Sequence, residues 1–308
     1  MTNTIKTISR KQASLFSLLI LMILAGCSKD DDGGSPTAEL TLNIIGLERL
    51  ASDSSYEYEA WIVVDGDNKS LGRFTTISFP KTFTVNADML ENASEFKLSI
   101  ELGNDPSSAI SESVLLSGMF RGNSADLNIS ESIGNFTQAP NIASGKYVLY
   151  TPTDNDPDNN QNGIYFYDPQ ADEAGLKLPI LPEGWKYEGW VVIPTNQGEV
   201  MLSTGTFRNP DNKDDFAPYS ASANQLPSNF YPGEDFLNMS ILGQFGINST
   251  PDLRNKDIFI SIEPSPDNKA SEPFVLRPLT SESGSELFPI TNSMNLNTAS
   301  FPSGRVDR

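Results

Sequence analysis

Tyr58-Glu59-Ala60-Trp61-Ile62-Val63-Val64 and Tyr187-Glu188-Gly189-Trp190-Val191-Val192-Ile193 are two versions of one short segment. In the first, Tyr58, Ala60, Ile62 and Val64 share a face with Tyr56, while Glu57, Glu59, Trp61 and Val63 take the other. A period of two in β-branched and aromatic residues predicts a β-strand. Each version follows a Gly-Leu pair, Gly46-Leu47 or Gly175-Leu176, at the same gapless offset of 129 residues. Further matches keep the order. Leu71-Gly72-Arg73-Phe74 is answered by Thr204-Gly205-Thr206-Phe207, and Phe96-Lys97-Leu98-Ser99-Ile100-Glu101 by Ile258-Phe259-Ile260-Ser261-Ile262-Glu263. The last block aligns Ser111-Glu112-Ser113-Val114-Leu115-Leu116 with Ser271-Glu272-Pro273-Phe274-Val275-Leu276. Such an ordered series predicts a duplicated unit.

Strands are also predicted at 38–45, 82–85, 96–100, 113–116, 146–150, 163–167, 258–262 and 273–276, with turn clusters such as Asp65-Gly66-Asp67-Asn68 between them. Residues 87–93 invite a short helix. Short strands separated by turns predict an all-β fold of two related antiparallel β-sandwich or half-open barrel domains. The 308 residues suit two compact units. The expected division is 38–136 and 143–282, the second enlarged by an insertion at 209–256 and followed by a C-terminal tail, 283–308.

The first 26 residues carry Lys6, Arg10 and Lys11, an apolar run from Ala13 to Leu24, and then Leu24-Ala25-Gly26-Cys27. That run is too short to span a bilayer and reads as a cleaved signal peptide. Leu-Ala-Gly-Cys resembles the lipobox of bacterial lipoproteins, which implies cleavage before Cys27 and lipid on its sulfur. Each buried methylene contributes about 0.8 kcal/mol, so two or three acyl chains hold a protein firmly to a membrane. The chain is expected to be lipid-anchored to the bacterial cell envelope, at the outer membrane. Residues 27–37 form an acidic, flexible tether through Ser28-Lys29-Asp30-Asp31-Asp32-Gly33-Gly34-Ser35-Pro36. It is similar to the tag that carries some lipoproteins to the outer face, and the same composition suits a plain solvated linker.

Beyond residue 26 the chain holds 18 basic against 40 acidic residues, a formal charge of −22. Nucleic acid is excluded as a partner, because its binding requires Lys and Arg to displace counterions. The chain has no histidine and a single cysteine, which removes a histidine triad, a histidine zinc site and any intrachain disulfide. No cofactor is expected.

Leu181-Pro182-Glu183-Gly184-Trp185-Lys186-Tyr187-Glu188-Gly189-Trp190-Val191-Val192, Ser203-Thr204-Gly205-Thr206-Phe207, Pro232-Gly233-Glu234-Asp235-Phe236 and Ile260-Ser261-Ile262-Glu263-Pro264 resemble the C-terminal extracytoplasmic domain of anti-sigma-K factors. The first copy is similar through 58–64 and 99–118, so that short, mainly structural motifs cover most of residues 38–280. In full family members this domain follows a transmembrane helix and a cytoplasmic sigma-binding domain. Here a cleaved signal stands in their place, so the resemblance implies the fold and an exported sensing or binding role rather than direct sigma-factor binding.

Glu59 and Glu101, with counterparts Glu188 and Glu263, are paired carboxylates of the kind that can hydrolyse a glycosidic bond. Duplicated acids beside Trp in paired strands more often tie backbone amides, and no catalytic residue is assigned. Trp61, Trp185 and Trp190 are expected in the core or at a domain interface, although an exposed set could stack on sugars. Asp154-Asn155-Asp156-Pro157-Asp158-Asn159-Asn160-Gln161-Asn162-Gly163 offers hard oxygen ligands. It lacks the sixth-position glycine and twelfth-position acid of an EF-hand, and no metal is expected. The insertion distinguishes the copies, and long loops on rigid β scaffolds carry recognition. Its Phe216, Tyr219, Phe230 and Tyr231 are therefore the candidate binding residues, with Pro232 to Phe236 expected to pin the loop down. Membrane through lipid, and an envelope protein or a glycan, are the expected partners.

Overall fold

The computed structural model describes residues 35–50, 56–103, 107–140, 142–154, 156–221, 230–267, 271–281 and 283–308. The signal, Cys27 and the tether through Gly34 lie outside the described residues. The fold is all-β. In chain order the strands are β1 (Thr37–Ile45), β2 (Tyr56–Val64), β3 (Asp67–Phe74), β4 (Lys81–Asn86), β5 (Ala93–Leu102), β6 (Val114–Met119) and β7 (Ser124–Leu127). The second half adds β8 (Ser144–Tyr147), β9 (Gly163–Tyr165), β10 (Tyr167–Asp168), β11 (Glu173–Ala174), β12 (Leu176–Lys177), β13 (Trp185–Thr195) and β14 (Gly198–Phe207). Then follow β15 (Gly233–Asp235), β16 (Ile258–Pro264), β17 (Leu279–Ser281), β18 (Asn292–Leu296) and β19 (Ser303–Asp307). The expected short helix is Ala87–Glu91, begun by Asn86, whose side chain accepts from the Met89 N–H at 3.0 Å.

One sheet has the order β3-β2-β5-β6, a second β4-β1-β19-β7, and a third β12-β8-β18-β17-β16-β13-β14. Neighbouring strands in all three run antiparallel. The β2–β3 hairpin turns through Asp65-Gly66, both at positive φ (54° and 87°), as a two-residue type I′ turn demands. Both repeat hairpins are built alike. Tyr58 faces Phe74 and Glu59 faces Arg73, while Tyr187 faces Phe207 and Glu188 faces Thr206. Each register then slips by one residue before Trp61 or Trp190, beside Gly72 or Gly205, whose φ values of 124° and 106° suit a bulge.

The third and fourth sequence blocks part company in space. Leu98 pairs with Leu116 in the first half, and Ile260 pairs with Leu279 in the second. Strand β17 is thus the counterpart of β6, three residues later than the block alignment places it, and the strand expected at 273–276 is irregular. Pro273 and Pro278 account for this, since neither can donate to a ladder.

Residues 37–308 form one compact unit, so the halves expected at 38–136 and 143–282 lie within a single body. Their buried apolar side chains belong to one cluster, from Leu40 and Phe96 to Tyr187 and Ile260. The hydroxyl of Ser113 donates to the Gly184 carbonyl at 2.9 Å, tying the halves together. The stretch read as a tail is structural. Strand β18 lies between β8 and β17, and β19 lies between β1 and β7, so the chain end completes a sheet of the first half.

Candidate functional site

The repeated strands place a tryptophan, a serine and a glutamate in line. In the first half the Trp61 indole donates to Ser99 Oγ at 2.9 Å, and Ser99 donates to Glu101, which accepts the Ser111 backbone N–H at 2.9 Å. In the second half Trp190 donates to Ser261 at 2.8 Å, Ser261 to Glu263, and Glu263 accepts the Phe274 N–H at 2.9 Å. Trp61, Trp185 and Trp190 are 2%, 0% and 1% exposed, so none offers a face to a ligand. Glu101 and Glu263 anchor the segments that enter β6 and precede β17. Buried polar groups are held this way because an unpaired one costs about 1–3 kcal/mol.

The other pair of acids separates the halves. Glu59 is neutralised by Arg73, whose Nε lies 2.7 Å from Glu59 Oε2. Thr206 occupies the corresponding position in the second half and turns its hydroxyl to Asp215 at 3.0 Å, leaving no arginine opposite Glu188. Lys186 also pairs with Asp215, at 2.5 Å. Glu188 is buried with Oε2 lacking a hydrogen-bond partner, and burial pushes its carboxyl up to about 7, against the stabilising Ser203 hydroxyl. Burial likewise raises Glu263 to about 8, with Glu188 contributing to the rise.

The insertion adds three more buried carboxyls. Strand β15 pairs with β9 and brings Glu234 and Asp235 against Tyr165. Ser220 donates to Glu234, Thr153 donates to Asp235 through its hydroxyl and its backbone N–H, and Asp214 accepts the Gly233 N–H at 2.8 Å. Burial raises Glu234 to about 8, Asp214 to about 7 and Asp235 to about 6. The Tyr165 hydroxyl, buried among these acids, is raised well above its usual range, mainly by burial and then by the nearby Asp235, Glu234 and Asp214. Near neutral pH Glu234 therefore keeps its proton, Asp214 is close to half-titrated and Asp235 is mostly ionised. Among the described residues no cluster of three or more Asp, Glu or Cys could hold a metal ion.

The candidate binding residues separate by burial. Tyr219 is 8% exposed and stacks on Phe236 at 5.4 Å, so it pins the insertion down. Phe216 is 42% exposed. Phe230 and Tyr231 are half-buried: Phe230 meets Tyr165 edge-on at 5.1 Å, and Tyr231 stacks on Tyr167 at 5.4 Å. A neighbouring stack, Tyr150 on Phe288 at 4.3 Å, went unnoticed in the sequence because its residues lie far apart in the chain. In the Asp-rich loop, Asp154 accepts from Asn159, which in turn accepts from Thr151, and Asp156 caps the 3-10 turn Pro157–Asn162 through the Asp158 N–H at 3.0 Å. These acids thus bind their own loop; Asn155 lies outside the described residues.

No protein-family model, no curated protein and no solved structure matches the chain.

Proposed function

We propose that this chain is a lipid-anchored cell-envelope protein whose exported β body, similar to the extracytoplasmic domain of anti-sigma-K factors, senses or binds and does not catalyse. The observation that supports the non-enzymatic reading is the use of Glu101 and Glu263. Both hold the same Trp–Ser pair and a backbone amide, in mirrored places of the two halves. Repetition of one constellation in both halves is what a shared scaffold requires, whereas a catalytic pair needs at least one acid facing open space. Lipid anchoring rests on the Leu24-Ala25-Gly26-Cys27 stretch.

A fatty-acid probe fed to expressing cells tests the anchor: wild type takes up label, and Cys27→Ala loses it and stays unprocessed. Equal labelling of both removes the anchor. The binding role is tested by immobilising the detergent-solubilised mature chain and passing envelope extract over it. Specific retention of a protein or glycan is expected; turnover of an extract component would overturn the non-enzymatic reading.

A further inference from the structure

An aromatic surface is assembled from four separate parts of the second half. Tyr167 on β10 stacks on Tyr231 of the insertion, with planes 16° apart, and Phe230 packs beside both. Tyr150 stacks on Phe288 with planes 20° apart. The two stacks are linked through their turns: Gln170, in the turn after Tyr167, donates to the carbonyl of Pro289, next to Phe288. Phe288 is 36% exposed, and Tyr150, Tyr167, Phe230 and Tyr231 are each partly open to solvent.

We propose that these rings form a binding platform for an uncharged saccharide. Within each stack the planes are nearly parallel, 16° and 20° apart, and do not cross as the walls of a cage do. A flat aromatic surface instead matches the flat C–H face of a pyranose, whose weakly positive hydrogens meet the electron-rich ring. Polar groups at the rim supply direction: the Tyr167 hydroxyl donates to Asp172 at 2.8 Å, leaving a second carboxylate oxygen to accept from sugar hydroxyls. Asp172 and Glu173 beside Tyr231, together with a formal charge of −22 beyond residue 26, repel uronates, sulfates and phosphates. That charge excludes an anionic occupant, and the polylysine gel in the test separates a cation from the neutral saccharide.

This proposal rests on the binding reading of the exported body and gives it a ligand class. The test is affinity electrophoresis of the mature chain in mild detergent through gels holding neutral β-glucan, α-glucan or mannan, with polygalacturonate and polylysine gels as charged comparisons. At least one neutral gel is expected to retard the wild type. Tyr231→Ala and Phe288→Ala should each weaken that retardation at least ten-fold with circular dichroism unchanged. Tyr231→Trp should preserve it, and Ile45→Ala in the first half should leave it untouched. No retardation in any neutral gel, or retardation only by polylysine, overturns the saccharide. Neutral retardation that ignores Tyr231→Ala and Phe288→Ala removes the platform but leaves the binding reading, which the extract experiment decides separately.

Discussion

Trp190 donates its indole N–H to the hydroxyl of Ser261 at 2.8 Å, across the ladder that joins β13 to β16. Ser261 passes a hydrogen bond on to Glu263, so a single hydroxyl satisfies two larger buried groups. Ser261→Ala leaves both short of a partner in a dry core, at about 1–3 kcal/mol for each stranded group. The midpoint of urea unfolding should fall with an unchanged slope. An unmoved midpoint would mean that water replaces the hydroxyl.

The Glu59–Arg73 and Glu188–Thr206 pairings predict opposite responses to one substitution. Glu188, Glu234 and Glu263 rise from 4.5 to about 7–8 on folding, so the folded chain keeps protons that the unfolded chain releases. The stability these three groups contribute is fully present below about pH 4.5 and is lost as pH rises through about 7–8. Glu188 alone accounts for about 3 kcal/mol of that decline. Glu188→Gln should raise the melting temperature at pH 8 and leave it nearly unchanged at pH 5. Glu59→Gln removes the partner of Arg73 and should lower it at both. Equal effects of the two variants at pH 8 would contradict the assignment.

Much of this contrast was legible in the repeat. Leu71-Gly72-Arg73-Phe74 against Thr204-Gly205-Thr206-Phe207 already holds the Arg-to-Thr exchange, and the hairpin registers align these residues in space. The strands around Tyr58 and Tyr187 were readable because alternating apolar residues face a core. Strands β18 and β19 were not. Asn292–Leu296 and Ser303–Asp307 hold few apolar residues, and Val306 is the one fully buried side chain of β19. Their extended form is imposed by partners on both sides, which local pattern does not record. The tyrosine and phenylalanine surface was half-read, through Phe230 and Tyr231, because Tyr150, Tyr167 and Phe288 join it only after folding.

Gly184 lies at the contact between the halves, at φ +83°, and a Cβ there would stand 2.3 Å from the Glu112 carbonyl carbon. Gly184→Ala combines a left-handed backbone with a clash against main chain that cannot swing aside. The two together should cost about 2–4 kcal/mol, read as a lower melting temperature. Ser113→Ala, which loses only the 2.9 Å bond to the Gly184 carbonyl, should cost about 1 kcal/mol. If the two variants melt alike, the close approach at Gly184 is not a constraint.

The chain end offers the sharpest test of the architecture. Strand β19 pairs with β1 from Thr41–Asp307 to Ile45–Ser303, and with β7 from Leu127–Gly304 to Ser124–Asp307. Beyond it, the Arg308 guanidinium donates to the carbonyls of Ala93 and Gly122 at 2.8 and 3.0 Å and lies over the Phe120 ring at 4.4 Å. Deleting 303–308 removes an interior strand, exposes the facing edges of β1 and β7, and opens the layer that Val306 fills. Unpaired inner edges leave backbone groups without partners and invite pairing between chains. The truncated protein should therefore lose its cooperative unfolding transition or aggregate on heating, and a synthetic peptide of residues 297–308 should restore the transition in part. Arg308→Ala keeps the strand and should cost about 1–3 kcal/mol through its charged hydrogen bonds. A truncated chain that melts like wild type would return residues 303–308 to the role of a dispensable tail.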